Sequence, residues 1–376
     1  MEAGVHRKHG KIVKPSLGNY GRQEYAILGA PCSLIREIAN KVATNFRENF
    51  QIAYVDADHK QSDNSPSESG FNVFLTDKIG WGRLDSARPW NAFETKNNLK
   101  DCDLVLVNGN HFGAKSQIVI IHPDKKESLE RKLDRLDNVR LVILAEGIQA
   151  PWSFLEAVLE GRQIPVLHLE DTSGILDWFA KETEAAVPPL RGLVLAGGQS
   201  LRMGRDKGLL EYHGKPQREY LADLLKPLCT EVFLSTRHDQ HLPQEGPYPA
   251  LPDTFLDLGP FGALLSAFRA FPDSAWLVLA CDLPLLDGDT LELLVRERSA
   301  CSLATAFYNE EKTFPEPLIT IWEPKAYPTL LTHLSQGSSC PRKVLINNNI
   351  KLIHPQNPSV LTNVNTPEEL EAIHRK

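Results

Sequence analysis

Residues 191–210 read RGLVLAGGQSLRMGRDKGLL. The run GLVLA has no polar alternation, which is what a strand covered on both faces requires. A loop follows at once. Its glycines, Gly197 and Gly198, let backbone amides approach a phosphate with no Cβ in the way. Ser200 adds a hydroxyl, and Arg202 and Lys207 bring two cations to the place where a triphosphate carries its charge. Lys207 is the better candidate for stabilising charge that develops during phosphoryl transfer. A glycine turn with solvated charges would account for the Gly-Gly pair alone. It does not account for serine, arginine, Met-Gly and Asp-Lys in one short loop after a strand. The spacing is not GxxxxGK[ST], so this is not an ordinary P-loop. Leu195, Ala196, Gly197, Gly198, Ser200 and Lys207 are the expected nucleotide-binding set of this loop, with Arg202 and Lys207 as its catalytic cations.

Outward from this loop, the chain alternates strand-like and helix-like patterns. After it come EVFLST, WLVLACD, CSLATAF and PLITIW, interleaved with KPQREYLADLLKPL, GPFGALLSAF, GDTLELLVRERS and TPEELEAIHRK. Before it, from about Tyr25 to Trp178, lie YAILGA, QIAYVDA, FNVFLTD, DLVLVNG, QIVIIH, VRLVILAE and IPVLHLED. Among the intervening helices, SLIREIANKVATNF places Ile35, Ile38, Ala39 and Val42 on one stripe, and KESLERKLDRL places Leu129, Leu133 and Leu136 at helical spacing. Between the two segments is KETEAAVPPL, where two prolines disfavour helix. The expectation is α/β: two doubly wound, mostly parallel-sheet domains, 1–185 and 190–376, with ligands at the carboxyl ends of strands. A length of 376 residues fits two cores of that size.

Composition narrows the function. The formal net charge of −7 argues against a nucleic-acid-binding face that reads phosphates. The six cysteines are scattered, with no CxxC pair, so neither a disulfide framework nor a zinc site is expected. The first residues, MEAGVHRKHGKIVKP, have no apolar segment of the secretory kind, and no apolar run is long enough to span a membrane. The expected location is cytoplasmic.

Further along, VLACDLPLL (278–286) ends a buried strand with Asp282, followed closely by a proline. A carboxylate there can bind Mg2+ while the metal bridges triphosphate oxygens, or it can simply cap a turn. Asp287 and Asp289 read as helix caps.

The loop resembles the LAGGxSxRMGxDKxLL signature of the molybdenum cofactor guanylyltransferases and matches every fixed position. The resemblance covers about residues 190–376. It implies that Asp282 is the metal and catalytic aspartate, and that Asp253, in ALPDTF, is a nucleotide contact. Ser235 stands where relatives often have asparagine and takes a place in the nucleotide set. GPFGALLSA (259–267) resembles a GPLAGI or GPLGGI element, which implies that Gly259, Pro260 and Gly262 lie near the pterin-side substrate. FPEPLIT (314–320) resembles the strand carrying a proline-bearing substrate contact. LTNVNTPEEL (361–370) matches the family's NxNTPEEL, which adds Asn363 and Asn365 to the pterin side. Thr366 with Glu369 also reads as a capping box.

The first segment resembles the molybdopterin-guanine dinucleotide adaptors, which are P-loop proteins. AILGAPCSLIREIA (26–39) lies in the position of the phosphate loop, with YVDADHK (54–60) and DLVLVNGNHF (103–112) beyond it. The loop lacks GK[ST]: Ser33 and Arg36 occupy its area, and Asn108 stands where relatives often have glutamate. Those losses remove the phosphate-neutralising lysine and the acid that would orient water. A degenerate domain that binds or docks without hydrolysis is expected, where molybdoenzymes or other cofactor-biosynthesis proteins could attach.

Together these readings imply transfer of GMP from GTP to molybdenum-bound molybdopterin, assisted by Mg2+. The alternatives are a transferase for another base or acceptor, such as CTP with molybdopterin or a sugar phosphate, or a non-catalytic carrier of the cofactor.

Overall fold

The computed structural model describes residues 18–57, 71–197, 207–237, 246–364 and 369. Its first half holds β1 (Gln23–Leu28), β2 (Ile52–Val55), β3 (Val73–Lys78), β4 (Trp81–Ser86), β5 (Leu104–Asn108), β6 (Ser116–Ile121), β7 (Val139–Leu144) and β8 (Val166–His168). Six of these form one sheet in the order β2-β5-β1-β6-β7-β8, every pair parallel. Parallel neighbours need crossovers, and the helix Cys32–Phe46 supplies the first. Its buried residues are Ile35, Ile38, Ala39 and Val42, the stripe read from the sequence.

Two sequence expectations change here. FNVFLTD does not join the main sheet; β3 pairs with β4 in a separate antiparallel hairpin. Its apolar side chains, Val73 and Leu75 among them, are exposed. Apolar content alone does not say which strand is the partner. KESLERKLDRL is not one helix. It is a helix at Lys126–Glu130 followed by a 3-10 turn at Leu133–Arg135. Leu129 and Leu136 are buried all the same, so the apolar spacing served packing without a continuous helix.

The helix Thr172–Ala185 leads to the second half. There β9 (Leu190–Leu195), β10 (Val232–Thr236), β11 (Ala250–Pro252), β12 (Ala275–Ala280), β13 (Ala304–Asn309), β14 (Phe314–Trp322) and β15 (Lys351–Ile353) make one sheet, ordered β11-β10-β9-β12-β14-β13-β15. It is mostly parallel, but β14 runs antiparallel to both β12 and β13. The chain has only four residues between β13 and β14, which suits a hairpin and not a crossover. Apolar clusters cover both faces: Leu225, Leu277, Leu291 and Ile321 on one, Phe261, Phe268, Trp276 and Trp322 on the other. β9 lies between β10 and β12, so the glycine loop leaves the middle of the sheet.

The two halves meet through charge. Lys325 pairs with Asp103 and also donates to the Cys301 carbonyl at 2.8 Å. Glu323, fully buried, takes two hydrogen bonds from Arg298, which also holds the Pro188 carbonyl in the connecting segment. Among the described residues, no helix is long and apolar enough to cross a membrane.

Candidate active site at the carboxyl edge of the second sheet

The strands β9, β10 and β12 are parallel and adjacent, so the segments after them emerge on one edge, where open α/β sheets bind ligands. After β9, the Ala196 amide donates to the Ser235 carbonyl at 3.0 Å, which carries the pairing past the strand end. A Cβ on Gly197 would lie 2.9 Å from the backbone nitrogen of Arg237, so a side chain is excluded there by the neighbouring strand's exit. Arg237 in turn donates from its guanidinium to the Gly197 carbonyl at 3.1 Å. This cation stands at the base of the glycine loop, and sequence reading missed it. It lies immediately after EVFLST, and no spacing signal marks it. Gly198, Ser200 and Arg202 fall outside the described residues.

After β12 comes Asp282. Its backbone carbonyl accepts from the Val364 amide at 2.8 Å. Its Oδ2 is 3.8 Å from Lys207 Nζ, and Lys207 donates to the Val364 carbonyl at 2.9 Å. Three segments far apart in the chain therefore meet: the end of the glycine loop at Lys207, the strand-end aspartate and the backbone at Val364. Asp282 Oδ1 is buried and has no hydrogen-bond partner among the described residues. A buried carboxylate oxygen left without a donor is costly. It is suited to a cation, and the donor set fits Mg2+, which takes one or two carboxylates plus water and substrate phosphates. Among the described residues there is no group of three His, Cys, Asp or Glu side chains that would make an all-protein cage. Asp287 does cap the following helix, accepting from the Thr290 amide at 2.9 Å.

Near the end of β10, Ser235 is buried and donates to Asp253 Oδ1 at 3.0 Å, while the Asp253 amide is tied to the Thr236 carbonyl at 2.8 Å. Burial pushes the Asp253 carboxyl up to about 6, with the Ser235 hydrogen bond pulling the other way. Serine at 235 therefore serves here as a support for the aspartate.

Gly259 has φ +55 and ψ −136 at the start of the helix Pro260–Ala270, a backbone that suits glycine. Gly262 has a different reason. A Cβ there would sit 2.3 Å from the Phe255 carbonyl, so its bareness lets the helix pack against the 253–259 loop. Ser266 fixes the same loop by accepting from the Thr254 amide at 2.8 Å. At Gly262 the close approach is by the protein itself, at the Phe255 carbonyl.

Asn363 is half-buried, and its Oδ1 accepts from Lys312 Nζ, which also pairs with Glu316 at 2.7 Å. Lys312 and Glu316 were not singled out in the sequence. Asn365 and Thr366 lie outside the described residues.

In the first half, Asp56 at the end of β2 accepts from Arg36 and from Asn108, both at 2.7 Å, and from Tyr54 at 3.1 Å. Burial alone would raise its carboxyl, but Arg36 and Asn108 hold it below the usual carboxylate value. Asp58 and His59 are outside the described residues.

This carboxyl-edge site, on a sheet of this order, is that of a nucleotidyltransferase. Residues 192–351 match the MobA-like NTP transferase domain. The chain is similar to a molybdenum cofactor biosynthesis bifunctional protein of Synechocystis sp., 36% identical over 195 residues, which cover 51% of this chain and 56% of that protein. It is also similar to the molybdenum cofactor guanylyltransferase of Pseudomonas fluorescens, 31% identical over 196 residues, which cover 50% of this chain and 94% of that one. Among solved structures, the molybdopterin-guanine dinucleotide biosynthesis protein A of Archaeoglobus fulgidus superposes with a TM-score of 0.43 at 22% identity, covering 49% of this chain and 97% of that one. Through its second half, the chain belongs to the molybdenum cofactor guanylyltransferase family. Its match spans little more than half the length of the Synechocystis relative.

Proposed function

We propose that residues 190–376 transfer GMP from GTP to molybdenum-bound molybdopterin. A terminal phosphate oxygen of the acceptor attacks the α-phosphorus of GTP. The bond from that phosphorus to the β-bridging oxygen breaks, and pyrophosphate leaves with the electron pair. The reading is carried by one observation: Lys207 stands between Asp282 Oδ2 and the Val364 carbonyl. That arrangement puts a fixed cation, a carboxylate and the acceptor-side segment around one point. Lys207 offsets charge on the triphosphate and the departing pyrophosphate. Asp282 would hold Mg2+, which when bound would supply further charge neutralisation at the phosphates. Arg202 is assigned as a second cation of the loop, and Gly198 and Ser200 as further loop contacts. Asp253, braced by Ser235, reads the guanine ring N–H and amine. Gly259, Pro260, Gly262, Asn363 and Asn365 form the pterin side. Positioning and electrostatics suffice, with no covalent enzyme intermediate.

For residues 1–185 we propose a docking domain without nucleotide hydrolysis. Asp56, the carboxylate at the end of β2, is already taken up by Arg36, Asn108 and Tyr54. It serves molybdoenzymes or other cofactor-biosynthesis proteins as a point of attachment.

The test uses the purified chain with Mg2+, molybdenum-loaded molybdopterin and either GTP or CTP, with dinucleotide and pyrophosphate quantified. Guanine dinucleotide is expected. A cytosine dinucleotide in its place would move the assignment to the cytidylyl branch. Binding of molybdopterin with neither product would overturn the transferase in favour of the carrier.

A further inference from the structure

Lys312 sits in the four-residue connection between β13 and β14, and nothing in the reaction as proposed uses it. Its ammonium is held from two sides. Glu316 Oε1 lies 2.7 Å away, and Glu316 is itself buried and fixed by Asn309, whose Nδ2 donates to the same oxygen at 2.8 Å. Asn309 also accepts from the Lys312 amide at 3.0 Å. The next residue, Thr313, has φ +59, a conformation unusual for a β-branched side chain. A buried carboxylate, two side-chain bonds and a strained backbone thus hold one lysine in one place. The other side of its ammonium meets Asn363 Oδ1.

An ammonium has donors only, so the Asn363 atom facing it must be the carbonyl oxygen. That fixes which way the carboxamide points. Lys312 and Asn363 help to line a cleft of about 470 Å³ with Tyr308 and His354, and with Oδ1 engaged the Nδ2 group is the part of the carboxamide that can donate there. We propose that Lys312 is a positioning residue that sets Asn363 as a hydrogen-bond donor toward the acceptor substrate, selecting an acceptor that offers a carbonyl or phosphate oxygen there. This rests on the pterin-side role given to Asn363 above. The backbone at Val364 is held separately, by Asp282 and Lys207, so the effect is confined to the Asn363 side chain.

The experiment measures molybdopterin binding directly, alongside transfer kinetics, for the whole chain and for Lys312→Met, Lys312→Arg and Asn363→Asp. Lys312→Met is expected to weaken molybdopterin binding and raise its KM about tenfold, the size of one charge-assisted hydrogen bond lost. The KM for GTP and the kcat at saturating acceptor stay within a factor of about two. Lys312→Arg restores most of the loss. Asn363→Asp keeps an oxygen for the lysine but removes the donor, and is expected to weaken binding at least as much. Equal damage to GTP and molybdopterin, or a Lys312→Met chain that binds molybdopterin like the parent, overturns the positioning role. If the parent chain binds molybdopterin but transfers nothing, the transferase reading fails while the binding ratios still decide this one. If the parent chain does not bind molybdopterin, both fall.

Discussion

Lys207 donates a hydrogen bond to the carbonyl of Val364, 2.9 Å away and 157 positions further along the chain. With Asp282 Oδ2 at 3.8 Å from the same ammonium, this bond ties the end of the nucleotide loop to the segment assigned to the second substrate. The nucleotide and the acceptor must meet within a few ångströms for a direct transfer, and in the proposed reaction this lysine spans the two sides.

Asp282→Asn keeps the shape of the side chain and removes its charge. Turnover is expected to fall about a hundredfold to a thousandfold, the scale of losing one strong electrostatic contact to a developing charge. Lys207→Ala should lose a similar amount. Circular dichroism and thermal unfolding should show both chains folded. A variant with parental kcat would remove that residue from the mechanism.

Asp253 gives a pH dependence with a definite sign. Its carboxyl is pushed up to about 6, so it is ionised at neutral pH and takes up a proton as the pH falls through 6. A protonated carboxyl is a poorer acceptor for guanine N–H groups, so the KM for GTP should rise below about pH 6 and level off above it. Asp253→Asn should flatten that profile. The same shift acts on stability. The folded pKa is above the unfolded one, so this group's contribution grows less favourable as pH rises through the window from 3.8 to about 6.

Gly197→Ala and Gly262→Ala separate a site glycine from a packing glycine. The first places a Cβ 2.9 Å from Arg237 N beside the nucleotide loop, and the second places one 2.3 Å from the Phe255 carbonyl. Each is expected to cost about 1–3 kcal/mol of stability through overpacking. Only Gly197→Ala should, in addition, weaken GTP binding, as read by titration with a fluorescent GTP analogue. Equal nucleotide affinity in the two variants would sink the distinction.

Glu323 holds Arg298, which in turn holds the Pro188 carbonyl of the connecting segment. Glu323→Ala leaves that guanidinium buried without its carboxylate, and a loss of about 3–5 kcal/mol is expected. Thermal unfolding and proteolysis within 186–189 should both report it. An unchanged melting temperature would mean that the pair contributes little to the joint.

How much of this was legible in the sequence depends on how local each feature is. The stripe of Ile35, Ile38, Ala39 and Val42, the buried runs of β1, β5, β9 and β12, and the cap at Asp287 are set by neighbours a few residues apart, and all could be read directly. The loop from Leu195 to Leu210 is just as local a pattern, because backbone access to phosphate needs glycine and cations within one turn of chain, but its residues 198–206 lie outside the described residues. What tertiary structure alone decided are pairings between distant segments. β3 left the main sheet for β4, and β14 ran antiparallel, since strand content does not encode the partner. Lys207 met Val364, Arg237 met Gly197, and Lys312 met Asn363, because three-dimensional packing brings together strand ends that the sequence keeps far apart. Gly262 has a packing reason that its neighbours in sequence do not show, since a Cβ there would meet the Phe255 carbonyl. The sequence by itself determined which chemistry the chain carries; the fold determined which groups stand next to each other to perform it, because hydrogen bonds and Coulomb forces act over ångströms of space and not over positions in a chain.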